Sequence, residues 1–194
     1  MLTIKAKAPD TEVKILYKET GMKTLSSKRL TLMALLVALL CVSAYLSIPL
    51  PHPIPPLTLL TMMGCIIALL LTPKETFLVF LVYLLLGAVG LPVFANGEGG
   101  LGIILNYKGG YILSWPVAYT LLSYLKGSSQ SWLVLGAKAL ITIPIIYAMG
   151  MMGLMIVLGL DIRTAFVTGA LPFIAGDVIK CFGAAFFVSK LVGR

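Results

Sequence analysis

The chain has 194 residues, 59% of them hydrophobic and 11% charged, with a mean hydropathy of +1.03. Soluble domains carry about a quarter charged residues, so this composition excludes a soluble enzyme or binding module and describes an integral membrane protein. The net charge of +8 does not mark a nucleic-acid binder: seven of the fifteen Lys/Arg residues, Lys5, Lys7, Lys14, Lys18, Lys23, Lys28 and Arg29, stand just before a hydrophobic run, the positive-inside pattern of a cytoplasmic N-terminus.

Residues 1–29 are polar, lack a sustained amphipathic period and read as a basic cytoplasmic extension, in which Met22 is a second candidate start. A cleaved signal peptide fits poorly, because the basic stretch is long and the apolar run after it has no convincing cleavage site. Residues 30–194 read as one transmembrane domain, with room for about six crossings at about 20 apolar residues each.

The first span is expected over 30–48 and ends at Pro-Leu-Pro-His-Pro-Ile-Pro-Pro, which cannot continue a helix. The second covers 57–71 and stops at Thr72-Pro73-Lys74-Glu75, and the third covers 77–91. Residues 92–110 contain six glycines and read as a long loop, of a length that is usually functional. A fourth span over 111–125 precedes a polar turn at 126–131. The run 132–160 is long for one crossing and is interrupted by Pro144, Gly150 and Gly153, so it reads as one tilted or kinked span. After Asp161 and Arg163, the last span begins within 172–177 and ends at Lys190 and Arg194.

Six crossings place both termini inside. Lys74, Lys126, Lys190 and Arg194 then join the cytoplasmic side and only Lys108 and Arg163 lie outside, the expected bias. The fold class is therefore all-α, a polytopic membrane protein with six transmembrane helices. The absence of a convincing internal repeat argues against an inverted-repeat transporter. Cys41, Cys65 and Cys181 all lie in apolar segments and read as small core residues, with no disulfide or metal site implied.

Asp177 and Lys180 interrupt the last hydrophobic segment. Three residues apart on a helix they share a face, and because charges within a span cost a few kcal/mol each, such a pair is a functional-site candidate. The alternative is a structural ion pair near the outer interface with Lys180 snorkelling. Gly176 beside them allows close approach. The topology brings the glycine-rich loop with Glu98 and Lys108 to the same outer side, where solvated loop charges are the plain alternative; His52, among prolines, reads as unremarkable. No Walker motif, Ser–His pair or metal-ligand cluster is present, which leaves no catalytic residues, no metal and no cofactor to assign. A transporter built on this chain would draw its energy from elsewhere.

Five blocks carry a family resemblance: Pro56-Leu-Thr-Leu-Leu-Thr61, Leu84-Leu-Leu-Gly-Ala-Val-Gly-Leu-Pro-Val-Phe-Ala95, Gly97-Glu-Gly-Gly100, Gly109-Gly-Tyr111 and Leu171-Pro-Phe-Ile-Ala-Gly-Asp-Val-Ile-Lys180. In order and spacing they resemble the BioY family, the biotin-binding S components of energy-coupling factor (ECF) transporters. The resemblance implies a six-helix protein that captures biotin outside the cell membrane and works with a transmembrane coupling subunit and two cytoplasmic ATPases. It makes Asp177 and Lys180 ligand contacts, and makes Ala34 and Ala38 a small-xxx-small motif for docking on the coupling subunit. Glu98 replaces a small neutral residue of the family pattern, Leu60 replaces Gln, and Ile112 stands where many members have Arg, with Lys108 just before the glycine pair.

On this reading Lys180 or Lys108 takes the biotin carboxylate, and Asp177, Asn96 or Glu98 accepts the ureido N–H groups. Tyr111 and Trp115 pack on the rings, and Gly99 and Gly100 belong to the loop that closes over the ligand. The alternatives are lipoate, which shares a sulfur ring and carboxylate tail but lacks the ureido group, and a structural membrane subunit that binds no vitamin.

Overall fold

The computed structural model describes residues 26–128 and 131–192. Of the basic extension expected over 1–29, residues 1–25 lie outside the described residues, as does Arg194. The chain divides into Met1–Met33 and a main unit, Ala34–Arg194. Within the first, the described residues open helix α1 (Ser27–Ser43), where the Thr31 hydroxyl donates to the Ser27 carbonyl at 2.9 Å.

The main unit is predominantly helical: the rest of α1, then α2 (Leu60–Leu70), α3 (Pro73–Ala88), α4 (Leu101–Leu105), α5 (Gly109–Leu125), α6 (Trp132–Ala139), α7 (Thr142–Leu158), α8 (Ile162–Gly169) and α9 (Ile174–Val192). The expectation of an all-helical chain needs one small correction. Strands β1 (Ser47–Ile48) and β2 (Leu57–Thr58) pair antiparallel around the proline-rich segment, because prolines that cannot donate to a helix leave the backbone extended.

Helix α5 is the centre of the bundle, packed on α2, α3 and α7, while α9 packs on α2 and α6 and α7 on α8. The core beside α5 is aromatic, with Phe80 stacked on Tyr119 at 4.8 Å and Tyr83 set between Phe94 and Trp115 at 5.7 Å from each. Outward-facing positions are also apolar: Leu35, Leu39, Leu85, Val117, Ile156, Phe186 and Phe187 are all exposed along helix faces. Such a surface requires a hydrocarbon solvent.

Among the described helices, the run Trp132–Leu158 is long and apolar enough to cross a bilayer alone, and α8 with α9, bent by 49°, passes as a broken pair. By length the six-span expectation is therefore not met helix by helix. With 11 residues, α2 is only about 16 Å long, against about 30 Å of hydrocarbon.

Local chemistry explains where elements begin and break. Helix α3 starts four residues before the expected span because Thr72 and Glu75 form a capping box, in which the Thr72 N–H and hydroxyl donate to Glu75 Oε2 at 2.9 and 2.8 Å, and Pro73 stands at its first turn. The kink expected within 132–160 falls at Leu140–Ile141. Pro144 has no N–H for the Leu140 carbonyl, which instead accepts from Ile143 at 3.2 Å. The loop expected over 92–110 contains a 3₁₀ turn (Ala95–Gly97), α4 and the first residues of α5.

One end of the bundle is tied by lysines. Lys126, just past α5, donates to the carbonyls of Ala68 and Leu69 at 3.0 and 2.9 Å and also to that of Leu71, which Ser123 meets at 2.6 Å. Lys138, hidden in an apolar run, reaches the Lys126 carbonyl at 2.9 Å. Lys126 therefore satisfies carbonyls left open at the end of α2. At the other end Asp161 caps α8, and the Thr164 hydroxyl donating to it at 2.6 Å holds its exposed carboxyl below the usual aspartate range. Replacing Lys126 by Met is expected to cost about 2 kcal/mol, read as a lower midpoint for thermal unfolding in detergent; an unchanged midpoint would show that Lys126 is not the cap that holds α2.

Candidate binding site

Pro172 ends the α8 run, since it has no N–H to continue a helix. The chain turns through Ala170–Phe173, with the Phe173 N–H donating to Ala170 and the Tyr111 hydroxyl holding the Gly169 carbonyl at 2.7 Å. Helix α9 then restarts with Asp177 in its first turn, where the helix dipole favours an anion. Broken spans with half-helix ends facing a cavity are a recurrent design for binding sites in membranes.

Asp177 is 7% exposed and collects donors from three helices. Its Oδ1 accepts from the Thr61 hydroxyl of α2 at 3.1 Å and from Lys180 Nζ at 3.0 Å, and its Oδ2 accepts from the Tyr147 hydroxyl of α7 at 2.8 Å. Thr61 is itself held, its carbonyl accepting from Tyr119 at 3.2 Å. A carboxylate has about four acceptor positions and an ammonium three donors. Among the described residues, three of the former and one of the latter are used. What remains is one acceptor on Asp177 and two donors on Lys180.

A second ion pair lies nearer the surface. The N–H of Phe94 donates to the Glu98 carbonyl at 2.9 Å and closes a tight turn in which Asn96 (φ 62°) and Gly97 (φ 72°) are both left-handed. Asn-Gly is the pair best suited to those angles. This turn aims Glu98 at Lys108, whose Nζ donates to both carboxylate oxygens at 2.7 Å. The segment hangs on α3, since the Tyr83 hydroxyl donates to the Val93 carbonyl at 2.7 Å and the Gly100 N–H to the Gly87 carbonyl at 2.7 Å. Gly87 has no side chain because the buried Phe94 ring occupies the space a Cβ would need.

Both pairs face one open, mostly apolar cavity between the helices. It brings together six of the expected residues, Glu98, Lys108, Tyr111, Trp115, Asp177 and Lys180. Asn96, Gly99 and Gly100 are not in its lining. Asn96 is spent on the turn, its Oδ1 accepting from the Ser47 hydroxyl at 2.6 Å. Gly100 takes φ 96°, and a side chain on Gly99 would strike the Leu91 carbonyl. These three shape the wall from behind. Leu60 and Ile112, singled out as departures from the family pattern, both line the cavity.

Sequence reasoning missed Thr61, Tyr147 and Phe173, which complete the floor. Thr61 lay inside a quoted block but without a role; nothing local marks Tyr147. Cys65 and Cys181, read as small core residues, are both buried and free, and their sulfurs lie 3.9 Å apart beside a smaller cavity beneath Asp177 and Lys180.

Fold and cavity describe a helical membrane protein with an open cavity among its helices. Its sequence matches the family model described as the BioY family over residues 18–194, and the chain belongs to that family. It is 37% identical over 170 residues to a probable biotin transporter BioY of Pyrococcus horikoshii, covering 88% of this chain and 99% of that one. It is 36% identical over 154 residues to the biotin transporter BioY of Thermotoga maritima, covering 79% and 89%. The crystal structure of the S-component for biotin from an ECF-type ABC transporter superposes with a TM-score of 0.78 at 25% identity, over 97% of this chain and 96% of that one. The family makes the chain a transport component and not an enzyme.

Lys180 and Asp177 side chains are 13% and 10% exposed, so removing one charge strands the other. Asp177→Ala is expected to destabilise by about 3–5 kcal/mol, and adding Lys180→Met to recover most of it. Thermal unfolding of the single and double variants in detergent checks this; a double variant no more stable than Asp177→Ala would show that the two charges do not balance each other.

Proposed function

We propose that the chain is the biotin-binding S component of an ECF-type ABC transporter, taking up biotin with a membrane-embedded coupling subunit and two cytoplasmic ATPases. The observation that carries the reading is the floor of the cavity. Asp177 offers one remaining acceptor and Lys180 two remaining donors, side by side and nearly dry. A ureido ring has N–H donors and a carbonyl acceptor to match them. The rings pack between Tyr111, Trp115 and Phe173, and the valeryl tail runs to the more exposed Lys108. Lipoate would leave the floor unpaired, which is costly in a buried site. The relatives bearing the name biotin transporter support the same ligand.

The proposed topology keeps six crossings, α1, α2, α3, α5, α6–α7 and α9, within a domain covering 30–194, behind a cytoplasmic extension over 1–29. Lys74, Lys126, Lys138 and Lys190 at one end favour the inside there, with both termini cytoplasmic and the cavity open to the outside. Ala34 and Ala38 are both exposed on α1, next to Leu35 and Leu39. This flat apolar face suits close docking of a coupling-subunit helix in the bilayer.

Calorimetric titration of the detergent-purified protein tests the ligand. Biotin is expected to bind tightly and lipoate weakly, and Asp177→Asn to weaken biotin by about ten- to a hundredfold. Lipoate binding as tight as biotin, or an unaltered affinity in Asp177→Asn, would sink this assignment.

A further inference from the structure

Resting on the biotin reading, we infer that Glu98 is a specificity residue that cancels the attraction of the site for a free carboxylate, so that the protein accepts amide- and ester-linked conjugates of the bicyclic head as well as the free acid. Four charged residues line the cavity, Glu98, Lys108, Asp177 and Lys180, and their formal charges sum to zero. Each ammonium has its own carboxylate: Lys180 holds Asp177 at 3.0 Å, and Lys108 holds both oxygens of Glu98 at 2.7 Å. Among the described residues, the cavity lining contains no cation without a carboxylate partner.

A ligand carboxylate arriving at Lys108 must displace Glu98 or share the ammonium with it. Sharing places two anions around one cation, where like charges disfavour ionisation. Displacement gives up a bidentate, charge-assisted contact of the same kind as the one formed. In either case the free acid gains little over a neutral amide, whose carbonyl can take the donor of Lys108 that remains. The geometry leaves room for what lies beyond that carbonyl. Lys108 and Glu98 side chains are 17% and 31% exposed, against 13% and 10% for Lys180 and Asp177, so the tail ends on the solvent side of the cavity and a substituent there points outward.

The test compares biotin with biotinamide, its uncharged counterpart, by calorimetric titration of the full-length protein in detergent. In the unaltered protein the two are expected to bind within about threefold of each other, whereas an uncompensated lysine would favour the acid by about ten- to a hundredfold. Glu98→Gln frees Lys108 and is expected to raise the acid-to-amide preference by about tenfold or more. Lys108→Met, which leaves Glu98 without its cation, is expected to turn the preference toward the amide. A strong acid preference in the unaltered protein, or a ratio that neither variant moves, overturns the role of Glu98 while the biotin assignment stands. Binding of neither ligand overturns that assignment and this inference with it.

Discussion

A carboxylate below the membrane surface is the constraint around which the rest is arranged. Burying a carboxylate such as Asp177 among apolar helices is costly without hydrogen-bond donors, and these come from more than one helix. The bundle answers with Thr61 from α2, Tyr147 from α7 and Lys180 from one turn on in α9. Those three bonds fix the mutual setting of the helices that form the cavity floor. The break that Pro172 imposes before α9 suits the same carboxylate. A continuous helix through Ala170–Phe173 would place Asp177 mid-span, whereas a restart gives it the positive end of a helix dipole. Tyr111 secures the break by holding the Gly169 carbonyl.

The bilayer removes the hydrophobic drive for helices to associate, so close packing and polar contacts must supply it. Glycines on α5 and α7 serve that purpose. A Cβ on Gly110 would strike the Met149 carbonyl, and one on Gly150 would strike the Tyr111 ring, so α5 and α7 meet backbone to backbone. The same approach carries Lys108, Tyr111 and Trp115 to the cavity wall. At the far end, Lys126 closes off the short helix α2 by meeting its last carbonyls. At the opposite end of α2 its first-turn Thr61 and the preceding Thr58 of β2 border the cavity.

Much of this was legible in the sequence because the relevant rules are local. A pair of charges three residues apart on an apolar helix pointed to Asp177 and Lys180, which line the cavity, and the last span was expected to begin within 172–177, close to the observed start of α9 at Ile174. Asn96, expected to accept from the ligand, has a left-handed backbone in the turn and its Oδ1 accepts from Ser47. What was not legible depends on contacts between distant segments. Thr61 is 116 residues from Asp177 and Tyr147 is 30 away, and a threonine or tyrosine in an apolar helix carries no sign of which carboxylate it will meet. Cys65 and Cys181 met for the same reason. Helix ends were displaced where a side chain changed the backbone accounting, as with the Thr72–Glu75 box at α3 and the Leu140 carbonyl, which Pro144 cannot meet and Ile143 takes instead.

Pairing every cavity charge internally has a physical consequence for capture. An empty site with a bare buried lysine would be strained until ligand arrived; this one holds its charges in balance, so the cavity keeps its shape without an occupant. On the proposed reading, affinity comes from the valences left over at the floor and from the apolar walls, which include Trp115, Phe173 and Ile146. Such contacts are directional and short-ranged, and they select a neutral polar head by its pattern of donors and acceptors rather than by its charge. They are also reversible, since withdrawing the ligand uncovers no unpaired ion. A carrier that must bind on one face of a membrane and let go on the other is served by a site whose empty and filled states are both electrically complete.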